Sequence, residues 1–204
     1  MHSFGRNMYC WRRLSAEERD SVLAMRKAQQ RPWHSPPHGT GEGRFLLTAT
    51  NYEHRPVLGR DWQRMTEFES RLLETLDATA DAVHAWVVLP NHYHAVVVTA
   101  GIEEALDALG LLHGRTSFAW NGQEGARGRK VWCSAVETRL QSDRHFCAAL
   151  NYVHHNPVKH GYAGKWTDWP FSSAGAYLDA VGRERAAHDW REYDISEMGA
   201  DWDP

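Results

Sequence analysis

The sequence predicts an α+β fold in which helices pack on an antiparallel β-sheet. Short apolar runs rich in Val, Thr and aromatic residues alternate with longer stretches at helical spacing. Only Pro90 and Asn91 separate two of those runs. A link that short cannot make a parallel crossover, so the two strands must pair antiparallel.

Taken in order, residues 12–31 read as a helix capped by Ser15 and Glu18, with Val22, Leu23 and Met25 as a partial apolar stripe. The Pro- and Gly-rich segment RPWHSPPHGTGEG over 31–43 is an expected linker, packed down through Trp33, with His34 and His38 as surface residues. Phe45–Thr50 is a strand, and EHRPVLG after it is a turn. Residues 61–79 place Met65, Phe68, Leu72, Leu73 and Leu76 on one helical face. Val83–Leu89 and His92–Thr99 are the antiparallel pair, and a helix over 102–119 follows. NGQEGARGRK reads as a flexible basic loop, and Val131–Leu140 as a fourth strand. A helix from Asp143 to about Asn156 carries Phe146, Leu150 and Val153, and Pro157 puts Asn156 at its end. The order βαββαβα suggests a sheet covered by helices on one side. Three parts result: residues 1–43 as helix and linker, 44–178 as the main domain, and 179–204 as an acidic tail.

A hydrophobic fraction of 42% and a charged fraction of 24% are ordinary for a soluble globular chain. No apolar run approaches the roughly 20 residues of a membrane span, and MHSFGRNMYCWRRL lacks a secretory apolar core. Cys10, Cys133 and Cys147 are too scattered for a disulfide framework or a thiolate zinc site, so a cytoplasmic location is expected. The net charge of −3 at first argues against a nucleic-acid partner. Residues 179–204, however, hold eight acids against three arginines, which leaves +2 on residues 1–178. Composition therefore leaves that partner open. The tail, with Trp190, Tyr193, Ile195 and Trp202 among its acids, is expected to be a disordered solubilising segment. The alternative is a segment folded back over a DNA groove.

Two segments carry chemistry. In LPNHYHAVVV, His92 and His94 lie two apart on a strand and project to one face, a good start for a divalent metal site. In a chain with 13 histidines such a pair is also how two hydrogen-bonded histidines would look. In LNYVHHNPVKHG, Tyr152 and Asn156 are four apart, which on a helix sets a phenol beside an amide oxygen. Tyr152 alone could equally be a packing tyrosine.

Together these segments resemble the REP-associated tyrosine transposases, single-tyrosine HUH enzymes of the insertion-sequence type. The resemblance runs from about Phe45 to Leu178. It rests on Asn-His-Tyr-His at 91–94, Tyr-Val-His-His-Asn-Pro-Val at 152–158 and Trp-Pro-Phe-Ser-Ser at 169–173. It implies the ferredoxin-like, RRM-like HUH fold. It also implies that Tyr152 is the catalytic nucleophile and that His92, His94 and Asn156 hold Mg²⁺ or Mn²⁺. The implied substrate is single-stranded hairpin DNA of the repeated extragenic palindrome kind, cut and rejoined through a 5′-phosphotyrosine by a monomer or homodimer. Arg127, Arg129, Lys130, Lys159 and Lys165 are candidate phosphate contacts, weighed against plain solvation. Trp166 and Trp169 are candidate base-stacking residues, weighed against core packing. A domesticated hairpin-binding protein without turnover is the alternative.

Overall fold

The computed structural model describes residues 41–195, together with Ser15, Glu17 and Ser21. Glu17 and Ser21 are helical. The rest of the expected helix over 12–31, the linker through residue 40 and the tail beyond Ile195 lie outside the described residues.

Four strands form one sheet: β1 (Gly43–Thr50), β2 (Ala82–Val88), β3 (His92–Thr99) and β4 (Val136–Arg139). Their order is β2-β3-β1-β4 and every pairing is antiparallel. The register sets Thr50 opposite His92 and Thr48 opposite His94, and on the other side Val87 opposite His94. Helices α1 (Trp62–Asp77) and α2 (Ile102–Gln123) fill the long connections, and α3 (Asp143–Lys159) follows β4.

Helix α1 starts at Asp61, whose carboxylate accepts from the Arg64 N–H at 2.8 Å. Its buried Met65, Phe68, Leu72 and Leu76 recur at three- and four-residue spacing. They pack with Ile102 and Leu109 of α2 against Phe45, Leu47, Ala49, Tyr93, Ala95 and Val97 of the sheet. Ser142 caps α3 by accepting from the His145 N–H at 3.1 Å. The Ala149, Tyr152 and Val153 face of α3 packs on Leu46, Val87 and Val96.

Helices therefore cover both faces of the sheet, not one. The cause lies in the two interior strands. Alternate residues of a strand point to opposite faces: Phe45, Leu47, Ala49, Tyr93, Ala95 and Val97 make one face apolar, and Leu46 and Val96 leave an apolar patch beside Thr48, His92 and His94 on the other, so each face takes a cover.

Three further expectations change. The fourth strand is shorter than 131–140, because Trp132 turns into the core. It stacks on Phe68 at 5.1 Å and on His113 at 4.5 Å, and its indole N–H donates to Thr116 Oγ1 at 3.1 Å. Its backbone keeps an isolated antiparallel bridge to Asn51, and the regular ladder resumes only at Val136. Second, α3 runs through Pro157 to Lys159, so Asn156 is helical rather than terminal. Proline deletes a single hydrogen bond here, and the helix closes a turn later. There the Tyr162 N–H donates to Pro157 O at 2.8 Å, and Gly161 takes a left-handed φ of +73°.

Third, the acidic segment is folded as far as Ile195. Helices α4 (Ala174–Val181) and α5 (Arg183–Glu192) meet at Gly182, which has a φ of +79°. Asn151 of α3 donates to Asp189 O at 2.9 Å and to Tyr193 O at 3.0 Å. Arg185 pairs with Asp189 one turn on at 2.8 Å, so acids and arginines offset each other within the segment.

Candidate active site

His92 opens β3, His94 follows on the same face, and Tyr152 and Asn156 lie a turn apart on the facing side of α3. The structure brings all four together. His92 Nε2 lies 3.0 Å from Asn156 Oδ1, and the Tyr152 hydroxyl lies 3.4 Å from His94 Nε2. The two imidazoles stand 5.1 Å apart between centroids, nearly perpendicular at 77°. None of the four side chains is more than 2% exposed.

The outer nitrogens of both rings are held from behind. His94 Nδ1 lies 2.7 Å from Thr48 Oγ1, and His92 Nδ1 lies 2.7 Å from Asn91 Oδ1. Asn91 in turn donates to His54 O at 3.3 Å. Its own carbonyl accepts from the Asn51 N–H at 2.6 Å. The turn before His92 is further pinned at Gly59, whose N–H donates to Pro90 O at 2.7 Å. A Cβ at Gly59 would collide with Pro90, so only glycine allows this approach. Thr48 and Asn91 were not singled out as site residues by sequence reasoning. The strand alternation that exposes the His pair also gives Thr48, through its register with His94.

The donor set is chemically specific. A neutral imidazole carries one N–H, yet both nitrogens of His92 face amide oxygens. If Nδ1 donates to Asn91, the Nε2 lone pair looks directly at the Asn156 oxygen. A cation shared by these atoms would turn that repulsion into ligation. The Asn156 Nδ2 is buried without a hydrogen-bond partner, and either a turn of the amide, setting Nδ2 against His92 Nε2, or a shared cation satisfies the pair. Among the described residues no group of three His, Cys, Asp or Glu side chains is disposed to hold a metal ion. A metal here would take two imidazoles and the amide.

His154, for which spacing suggests no role, faces away from the pair. Its Nε2 lies 3.0 Å from Ser173 Oγ, which accepts from the Trp86 N–H at 2.9 Å. Burial lowers its pKa to about 4, so it is neutral near pH 7. The Trp-Pro-Phe-Ser-Ser segment runs beside β2. Phe171 O accepts from the Val88 N–H at 2.8 Å, and the Trp169 indole donates to Val88 O at 2.9 Å. His155 packs near Trp190 at 4.8 Å, away from the ligand set.

Of the five basic candidates, Lys159 reaches the site, with Nζ 5.2 Å from the centre of the Tyr152 ring. Lys130 lies over Tyr52 at 4.7 Å, close to the chain end that holds Asn91. Lys165 is exposed. Arg127 donates to Phe118 O at 2.6 Å and rests on that ring. Arg129 is an internal strut, bonded to Glu124 at 2.7 Å and Asn121 at 2.9 Å. The supposedly flexible loop is thus organised from within. Glu124 would be raised by burial, but hydrogen bonds from Arg129 and Arg64 hold it down at about 2.

No family model matches the chain. A REP-associated tyrosine transposase of Escherichia coli K12 is 28% identical over 92 residues, covering 45% of this chain and 53% of that protein. A Haemophilus influenzae relative named for the same family is 25% identical over 124 residues, covering 53% of this chain and 68% of its own length. The chain thus spans between about half and two-thirds of these relatives. A solved REP-associated tyrosine transposase, bound to a REP hairpin, shares the fold with a TM-score of 0.57. Identity there is 17%, over 83% of this chain and 96% of that one. In sequence and in fold alike, this chain is similar to the REP-associated tyrosine transposases.

Proposed function

We propose that this chain is a single-tyrosine DNA nuclease and strand transferase acting on single-stranded hairpin DNA, with Tyr152 as nucleophile. The observation that carries the reading is the meeting of the Tyr152 hydroxyl with His94 and the paired His92 and Asn156, presented by two regular elements. The hairpin partner is inferred from the structural neighbour bound to one.

In the forward step the Tyr152 oxygen attacks the scissile phosphorus and the bond to the 3′ oxygen breaks. One proton passes overall from the phenol to the departing 3′ oxygen. The product is a 5′-phosphotyrosine ester and a free 3′-OH. One phosphate ester replaces another, so a second 3′-OH can reverse the step without a nucleotide cofactor. His92, His94 and Asn156 would hold Mg²⁺ or Mn²⁺, which supplies Lewis-acid stabilisation of phosphate charge. Thr48 and Asn91 orient the two imidazoles, and Lys159 brings a positive charge over the phenol ring.

The near-complete burial of Tyr152 favours a second reading, a hairpin-binding protein that has kept the fold but turns over little or not at all. One experiment separates them. Hairpin oligonucleotides labelled at the 5′ or 3′ end are incubated with the protein and Mn²⁺ and run on a denaturing gel. Tyr152→Phe, His92→Ala and EDTA controls run beside them. A labelled adduct lost in all three controls is expected. Binding without adduct selects the second reading, and cleavage surviving Tyr152→Phe overturns the tyrosine mechanism.

A further inference from the structure

A row of aromatic rings leads from the histidine pair out over the surface. His160 meets His92 edge-on, 4.9 Å between centroids. Tyr162 follows His160 at 6.4 Å, Trp169 follows Tyr162 at 5.5 Å, and Trp62 follows Trp169 at 6.4 Å. Buried Phe171 supports the outer end, 5.2 Å from Trp62 and 5.8 Å from Trp169. The row is assembled from separate parts of the chain: the start of α1, the segment after α3 and the strip beside β2.

Its outer members face water. Trp62 is 65% exposed and Tyr162 is 42% exposed. Contiguous exposed aromatics cost solvation and mark binding surfaces. Trp169, in the middle of the row, is held in place by its bond to Val88 O. Exposed Lys159 and Lys165 lie on the segment that supplies Tyr162 and Trp169. Flat faces interleaved with cations suit a polymer of flat bases on a phosphate chain, since every base can stack on an aromatic face. An apolar protein partner would use the rings but would leave the lysines unused.

We propose that Tyr162, Trp169 and Trp62 form a stacking track for the unpaired bases that flank the scissile phosphate. This rests on the reading of His92, His94, Tyr152 and Asn156 as a DNA strand-transfer site. The track begins beside His92, so a strand lying on it has one end at the candidate nucleophile.

The test is fluorescence anisotropy in EDTA, with a labelled single-stranded oligonucleotide and a matched strand whose bases are replaced by abasic sites. Trp62→Ala and Tyr162→Ala should each weaken binding of the normal strand between about fivefold and a hundredfold. Trp62→Phe should retain most of the affinity. The abasic strand should bind wild type and variants alike. Circular dichroism melts of these exposed-site variants should match wild type. Unchanged affinity in both alanine variants overturns the track, and so does an equal loss on the abasic strand. Wild-type protein that forms the covalent adduct while both alanine variants bind normally overturns the track alone. Base-dependent loss in a protein that never forms an adduct supports the track and overturns strand transfer.

Discussion

Lowering the pH from 7.5 to 5 should remove about 4 kcal/mol of folding stability through two buried histidines. His113 lies between the Tyr93 hydroxyl at 3.1 Å and the stacked Trp132 ring, and His154 lies against Ser173. Burial lowers both from the usual 6.5 to about 4. As pH falls through 6.5, the unfolded chain takes up protons that the folded chain refuses until about 4. The stability present above 6.5 is therefore lost on acidification. At pH 5 the difference amounts to about 2 kcal/mol per histidine, a large share of a typical domain's total. His84 and His155, also lowered by burial, act in the same direction. Glu124, held at about 2, loses its contribution only below the usual carboxylate range, so it is silent in this window. Urea unfolding followed by tryptophan fluorescence at pH 7.5, 6 and 5 reads the effect, and His154→Gln should flatten the slope. A constant unfolding free energy from pH 7.5 to 5 would refute the argument.

Two other perturbations follow from the packing. Asn91→Ala removes the oxygen behind His92 and should weaken Mn²⁺ binding by about 10- to 100-fold in titration calorimetry. Unchanged affinity would mean that Asn91 does not orient the ring. Phe68→Ala empties a site bounded by Tyr93, Trp120 and Trp132 and should cost about 3–5 kcal/mol in urea unfolding. A loss below about 1 kcal/mol would show that the neighbouring rings collapse into the space.

The candidate site was legible because each half obeys a short-range period. His92 and His94 follow the two-residue repeat of a strand, and Tyr152 and Asn156 the turn of a helix. That the halves face each other was carried only by the family resemblance, because packing of α3 on β3 is a long-range outcome. The covered second face of the sheet was hard to read, because its alternate set in HYHAVVVT mixes His92 and His94 with Val96 and Val98, and the element order alone suggested one side. Pro157 misled about the helix end because its local bias was outweighed by packing and by the closing turn at Gly161. Arg129 looked like a free cation because its partner, Glu124, lies in the same loop and is itself shared with Arg64 of α1. The folded acidic segment was hidden because charge composition does not report neutralisation by neighbouring arginines.

The bonds linking His154, Ser173 and Trp86 have a mechanical meaning. The sheet that carries the imidazoles is laced to the strip at 171–173, that strip is laced to α3, and α3 packs back on the sheet. Three members joined at three corners form a triangle, and a triangle cannot shear without breaking a side. The gap between imidazoles and phenol is therefore set by a joint on the far side of the helix from the chemistry. His160, edge-on to His92, and Lys159, over the Tyr152 ring, stand at the borders of that gap.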